Sequence, residues 1–515
     1  MGFNVILFTD APSPDNFTRG YGAYRIATEI RKLGYSVLTV DFSSALTEET
    51  FDQILDLSID ESTLFVGFST TWFPHFSDNG KQNRWLWGEK TVTNKTTNWN
   101  PTEKHWYYDS VSYRISSGEL SVFVSKIKNR NPNTKVVLGG CKSAEYIKDE
   151  SVDNIFIGYS ENQIVDYIKS ITKSGPLRIF NKIVDYDIKA NNGSFVFKES
   201  FTEYVETDCL LPEERLTIEF SRGCIFNCTF CSFLHKNQNT KDYIKYKEIL
   251  RQELMDNWTK WGVYKYAITD DTFNDHTEKL ELINEVVQSL PFKPIFSFAF
   301  IRIDLITPEQ AKLIKDIGVT AVFIGIDAWG KEPASVIKKS GNMEKIFKCF
   351  KIAKEYWGDS IHVTSNLIIG LPYDTEQNVK DSVNWFITEG KNYMNKLSYY
   401  SFVIRTPLDI DQYQTVSDIQ KAPDTWGYSF PDPENIYYWE NNTGDIKTST
   451  RAQELMIDAM NTVRPHYNKT EITGWNELYA NDEDIDSSEM FRRLTVEGYF
   501  PRLINVLSKY KRTSD

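Results

Sequence analysis

The chain has 515 residues, 41% hydrophobic and 25% charged, a composition of soluble globular proteins too long for one core. Its net charge of −13 argues against a dedicated nucleic-acid binder, whose phosphate contacts need a concentrated basic surface. No apolar run approaches the roughly 20 residues that span a bilayer, and six cysteines in so long a chain are no disulfide framework. The opening "MGFNVILFTDAP" has no positive leader region, so a reducing, cytoplasmic location is expected.

In chain order, "NVILFTD" (4–10) predicts a strand and "YGAYRIATEIRKLG" (21–34) a helix stopped by Gly34. "YSVLTVDF" (35–42), "STLFVGFSTT" (62–71), "TKVVLGG" (134–140) and "NIFIGYS" (154–160) predict further buried strands. Helical patterns separate them, which implies a parallel, doubly wound sheet with ligands beyond its C-terminal strand ends. Residues 74–114 break the rhythm with Trp85, Trp87, Trp99, Trp106, Tyr107 and Tyr108 among polar residues. Following a strand, this insert is expected over the ligand edge, as a binding loop or a packed lid. Residues 173–215 read as a connector with weak strands around 193–199.

From 216 a second alternation predicts strands at "RLTIEFS", "KYAITDD", "IFSFAFIRID", "AVFIGID", "HVTSNLIIGLP" and "KLSYYSFVI". Helices are predicted between them at 242–260, 277–289, 308–317, 343–357 and 375–390. About six βα units in succession fit a full or partial barrel with its site at the C-terminal strand ends. After 406 the strand rhythm stops, and "STRAQELMIDAMNTVRPHY" and "SSEMFRRLTVEGYFPRLINVLSKYKR" predict helices.

Half of the cysteines crowd into "SRGCIFNCTFCSF" (221–233), where Cys224, Cys228 and Cys231 follow a predicted strand in a C-x3-C-x2-C spacing. Three thiolates on one loop can hold three irons of a cuboidal iron–sulfur cluster and leave the fourth iron open for a substrate or cofactor. The alternatives are a zinc site completed by His235 and three buried structural thiols. Cys141, Cys209 and Cys349 are isolated and suggest no second cluster.

The cysteine loop resembles the signature of the radical SAM superfamily. "AITDDTFN", "FAFIRIDLIT", "VFIGIDAW" and "NLIIGLPYDT" are similar, in order, to later strands of that family, so the resemblance covers roughly 216–405. It implies a [4Fe-4S] cluster on Cys224, Cys228 and Cys231, with S-adenosylmethionine (SAM) on the open iron. It also implies SAM-contacting roles for Phe230, Asp270, Asp271, Arg302, Asp327 and Asn366. Phe230 stands where the family meets the adenine, Asp270 and Asp271 where it meets the methionyl amino group, and Arg302 suits the SAM carboxylate. "TDD" replaces the commoner Gly-Gly-Glu, and Asp327 stands where Glu is commoner. The alternatives are a helix cap for Asp271 and a surface ion pair for Arg302.

The implied architecture is α/β. A Rossmann-like, cobalamin-binding-type domain is expected at 1–172 and a connector at 173–215. A partial (β/α)6 radical SAM barrel then spans 216–405, and a mostly helical C-terminal region spans 406–515. "VGFSTTW", "VLGG" and "FIGYSENQIVDYI" match the cobalamin-binding class in order, but "TDAPSPDNFTRGYG" (9–22) lacks the Asp-x-His-x-x-Gly signature. Two outcomes stand. Cobalamin binds beside Ser69, Thr70, Gly139 and Gly140 without a protein histidine on its lower face, or the aromatic insert fills the pocket. The second is favoured, because the missing histidine and the long insert point the same way.

The functional expectation is a radical SAM enzyme that cleaves SAM reductively and acts on an unactivated carbon of a small-molecule, nucleotide or peptide substrate. A flavodoxin or ferredoxin would supply the electron. A cobalamin-dependent methyltransferase and a non-catalytic iron–sulfur or zinc protein are the alternatives.

Overall fold

The computed structural model describes residues 2–10, 18–69, 117–140, 143–174, 183–184, 196–211, 214–233, 236–237, 240–409, 411, 416–433, 435, 437–467 and 493–512. The expectations for Thr70, the 74–114 insert, Cys141 and His235 lie outside these residues.

The N-terminal strands β1 (Val5–Phe8), β2 (Val37–Val40), β3 (Phe65–Ser69), β4 (Lys135–Gly139), β5 (Asn154–Phe156) and β6 (Ile183–Val184) form one parallel sheet in the order β2-β1-β3-β4-β5-β6. Their short apolar runs are buried on both faces, as a sheet covered by helices requires. Helices α1 (Tyr21–Arg31), α2 (Glu48–Ser58), α3 (Ser117–Arg130) and α4 (Glu161–Ile171) connect the strands. Gly34 stops the first connection at φ +87. In α2, the Thr47 hydroxyl accepts from the Thr50 N–H and caps the helix start. The order reverses between β1 and β3, and such a switch point opens a crevice at the C-terminal strand ends.

The second set of strands comprises β7 (Arg215–Ile218), β8 (Lys265–Ile268), β9 (Ile295–Ser297), β10 (Ala299–Ile301), β11 (Ala321–Asp327), β12 (His362–Ile369) and β13 (Lys396–Ser401). All are parallel, in two sheets ordered β7-β8-β9 and β10-β11-β12-β13. One continuous strand was expected over 295–304. Phe298 interrupts it at φ +61, a left-handed conformation costly for a side-chain-bearing residue. The sheets stay joined by a bridge between Phe296 and Val319. The helices at Pro308–Ile317, Met343–Trp357 and Glu376–Thr388 lie where the periodicity places them. The helix expected at 242–260 begins at Lys247, after a 3-10 turn over Thr240–Tyr243, and the weak strand near 193–199 is a 3-10 turn over Phe197–Glu199.

The outward face of the strands carries Leu216, Ile218, Tyr266, Ile268, Phe296, Val322, Ile324, Val363 and Leu367 into one apolar core with the helices. The alternate positions Thr217, Glu219, Thr269 and Asn366 face the opposite way. The array is a partial barrel, because β7 and β13 do not pair. Helix Ser449–Val463 covers the β13 side, where the Tyr399 and Ser401 amides donate to the sulfurs of Met460 and Met456 at 3.2 and 3.3 Å.

Two described helices of the C-terminal region serve different cores. Ser449–Val463 completes the barrel core, whereas Phe500–Arg512 returns to the first sheet, with Tyr499, Phe500, Leu503 and Leu507 beside Phe8, Phe42 and Ile54. Arg19 ties these parts together. Wholly buried, it pairs with Glu214, donates to Tyr24 Oη at 2.7 Å and stacks over Tyr499 at 4.9 Å. Among the described residues no helix is long and apolar enough to cross a membrane.

Candidate cluster and cofactor site

The cysteine loop begins where β7 ends. Gly223, at φ +92, turns the chain into Cys224 in a conformation that disfavours any side chain. Cys224 Sγ lies 3.1 Å from Thr272 Oγ1, at the end of β8, and the Phe233 N–H donates to Cys231 Sγ at 3.4 Å. Arg302, just beyond β10, approaches Cys228 Sγ at 3.6 Å through Nη1. Lys236 Nζ bonds the carbonyls of Cys228 and Cys231 at 3.4 and 3.1 Å and pairs with Asp418 at 3.0 Å. Residues that follow β8 and β10 thus converge on the loop that follows β7.

Burial first, then the Cys228 and Cys224 sulfurs and Asp271, push the Cys231 thiol up to about 11, against the lowering effect of the Phe233 amide. The three sulfurs therefore lie within electrostatic reach of one another. Among the described residues no three His, Cys, Asp or Glu side chains converge on a single ion. A cluster does not require that, because each thiolate binds a different iron. Soft sulfur donors with one cationic hydrogen-bond donor fit an iron–sulfur cluster.

The two adjacent aspartates part company. Asp270 is wholly buried and accepts from the Phe220 amide at 2.7 Å and from Ser221 Oγ at 2.5 Å. Lys279 Nζ lies 3.4 Å from it and also reaches Ser221, Thr272 O and Asp275. Asp271 lies on the cysteine side. Burial first, then Asp270 and Glu219, push its carboxyl up to about 7, and the Gly223 amide works against that rise. Asp271 does not cap the following helix, whose N-cap is His276.

Arg302 is 7% exposed, with Nε and Nη2 both donating to Asp304 at 3.0 Å and the guanidinium 3.9 Å from the Phe226 ring centre. Asp327 sits at φ +65 on a bulge in β11, ion-paired to Lys339 at 2.6 Å. Asn366 Nδ2 donates to Asp327 Oδ1 at 3.3 Å, and its buried Oδ1 has no partner among the described residues. Phe230 is half-buried against the barrel core.

Above the loop, a cavity of about 390 Å³ opens at the switch point of the first sheet. Ser69, Gly139, Gly140 and Gly158 line it at the strand ends, and Glu219, Arg222 and Thr269 line it from the barrel. A Cβ added to Gly139 meets no atom of the described residues within 4 Å. Sequence reasoning missed Arg222, Thr272 and Lys236. Only "SRGC" hinted at the first, and nothing local marks the other two.

Three sulfur donors on the loop after β7, at the C-terminal end of a partial barrel and beneath a doubly wound domain, form the kind of site that suits an iron–sulfur cluster. Residues 218–386 match the Radical SAM superfamily model. A Methanocaldococcus jannaschii protein named among the methylthiotransferases is 26% identical over 49% of this chain and 57% of its own. Hopanoid C-3 methylase of Methylococcus capsulatus is 21% identical over 52% of this chain and 53% of its own. The chain thus spans about half the length of these curated relatives. The cobalamin- and [4Fe-4S]-bound methyltransferase TsrM from Kitasatospora setae shares the fold with a TM-score of 0.55 at 15% identity, over 84% of this chain and 76% of that one. The cobalamin-dependent enzyme OxsB, with aqua-cobalamin bound, does so with a TM-score of 0.53 at 15% identity, over 82% of this chain and 56% of that one.

Proposed function

We propose that the protein holds a [4Fe-4S] cluster on Cys224, Cys228 and Cys231, binds SAM beside it, and starts radical chemistry on an unactivated carbon of a small-molecule, nucleotide or peptide substrate. The observation that carries this reading is the three-thiol loop with Arg302 against Cys228. When bound, cluster and SAM together supply reductive cleavage of the sulfonium and a hydrogen-abstracting carbon radical.

The chain's own groups orient and shield. Asp270 and Lys279 fix the start of the loop, and Lys236 fixes its end. Asp271 is the group available to the SAM amino group. Arg302 presents its charge at the sulfur, with Asp304 holding the fork in place. Asn366 Oδ1, buried and without a partner among the described residues, is an acceptor for a polar hydrogen of SAM. Phe230 offers an apolar face for the adenine. A cytoplasmic flavodoxin or ferredoxin is the proposed electron donor. The test is anaerobic incubation of the reduced protein with SAM, which should yield 5′-deoxyadenosine.

The cavity supports a second reading, cobalamin-dependent methyl transfer, because TsrM and OxsB carry cobalamin in structures of the same fold. The glycine-lined strand ends fit close approach of a ligand. No histidine is among the described residues that line the cavity, so none of these would give cobalt an imidazole. Hydroxocobalamin that co-elutes with a shifted absorption spectrum supports this reading; wash-out leaves the cobalamin-free enzyme.

A further inference from the structure

Arg222 lies two positions before Cys224 and is 4% exposed. Its Nη2 donates to Glu161 Oε1 at 2.5 Å and its Nε to Glu219 Oε1 at 2.8 Å. The guanidinium lies 4.1 Å from the Tyr159 ring centre and 4.7 Å from that of Phe197. Glu161 opens helix α4, and Tyr159 follows Gly158 at φ +77. Both line the cavity of the first sheet, as do Arg222 and Glu219. Arg25 of α1, also in the cavity wall, lies 3.6 Å from Glu219.

This arrangement is a poor device for stability, because desolvating a cation and two carboxylates offsets much of their attraction. It is a good device for fixing position. A planar fork held by two carboxylates and covered by two rings has little freedom to translate or rotate. Only Gly223 separates this anchored residue from Cys224.

We propose that Arg222 is a positioning residue that sets the seat of the cysteine loop relative to the cavity of the first sheet. A shift of the α4 N-terminus would then displace Arg222 and Cys224 together. This inference rests on the reading that Cys224, Cys228 and Cys231 hold the cluster.

The test compares wild type with Glu161→Gln, Arg222→Lys and Tyr159→Leu, each reconstituted anaerobically. Iron content, melting temperature, SAM cleavage rate and the electron paramagnetic resonance spectrum of the reduced protein with and without SAM are measured. Arg222→Lys keeps the charge but loses the fork, and Glu161→Gln loses one carboxylate on the far side of the contact. Both should keep four irons and stay folded at the assay temperature, with some drop in melting temperature because a buried pair is weakened. Both should lower kcat for SAM cleavage by about ten- to a hundredfold with little change in KM and alter the SAM-induced spectral change. Tyr159→Leu, which keeps the ion pairs, should show the same effects more weakly. Wild-type kcat and spectra in the first two variants overturn the inference. So does a loss of rate that tracks loss of iron or of folded protein at the assay temperature in all three, which assigns the network to stability. A wild-type protein without a cluster contradicts the proposed function instead.

Discussion

Arg302 places Nη1 3.6 Å from Cys228 Sγ, the one cationic side-chain donor at a loop sulfur among the described residues. A cation beside a thiolate ligand favours the more negative, reduced cluster. Arg302→Gln should therefore retain iron and lower the cluster midpoint by some tens of millivolts, where 59 mV is a factor of ten for a one-electron couple. A redox titration followed by electron paramagnetic resonance checks this. An unchanged midpoint would assign Arg302 to Asp304 alone.

Asp270 and Asp271 are neighbours with different expected phenotypes. Asp270→Ala leaves Ser221 and the Phe220 amide without this buried acceptor and removes one of the two carboxylates beside Lys279, which keeps Asp275. It should destabilise the fold by roughly 3–5 kcal/mol, the usual result of breaking a buried pair. Asp271→Asn should leave the melting temperature near wild type and weaken SAM binding by about ten- to a hundredfold. Thermal unfolding and SAM titration of the two variants check the assignment; equal SAM loss in both would contradict it.

Asp41, which accepts from the Gly20 amide beside β2, predicts a pH dependence. Burial first, against Arg19 and with Asp10 reinforcing it, pushes its carboxyl up to about 7. The folded state then binds this proton more tightly than the unfolded state. Its contribution to stability is fully present at low pH and is lost as pH rises from about 4 to about 7. Asp41→Asn should remove this slope, on the order of 2–4 kcal/mol across the window. Urea unfolding over that range reads it directly.

Gly139→Leu tests the cavity. The added Cβ meets no atom of the described residues within 4 Å, so the side chain should cost little stability. If the second reading holds, this variant should retain its cluster and lose hydroxocobalamin on gel filtration. Retention of the corrin would place it elsewhere.

Much of this architecture is legible along the sequence because βα units are local. The helix at 308–317 is bounded by Thr307, Pro308 and Gly318, and those residues fix its ends in the structure. The cysteine loop is equally local. The break at Phe298 is not legible, since no glycine or proline marks it. Nor is the Arg222–Glu161 contact, which joins residues 61 positions apart. The second aspartate of "TDD" is separable from the first only once Lys279 closes on Asp270. The return of Phe500–Arg512 to the first sheet depends on packing that periodicity does not encode.

In the proposed function Cys224, Cys228 and Cys231 hold a cluster that cleaves SAM. Anaerobically reconstituted wild type should contain about four irons and four sulfides per chain and form 5′-deoxyadenosine from SAM when reduced. The variant carrying Cys224→Ala, Cys228→Ala and Cys231→Ala should lose both. Retention of the iron in that variant, or a cluster-loaded wild type that leaves SAM intact, would contradict the account.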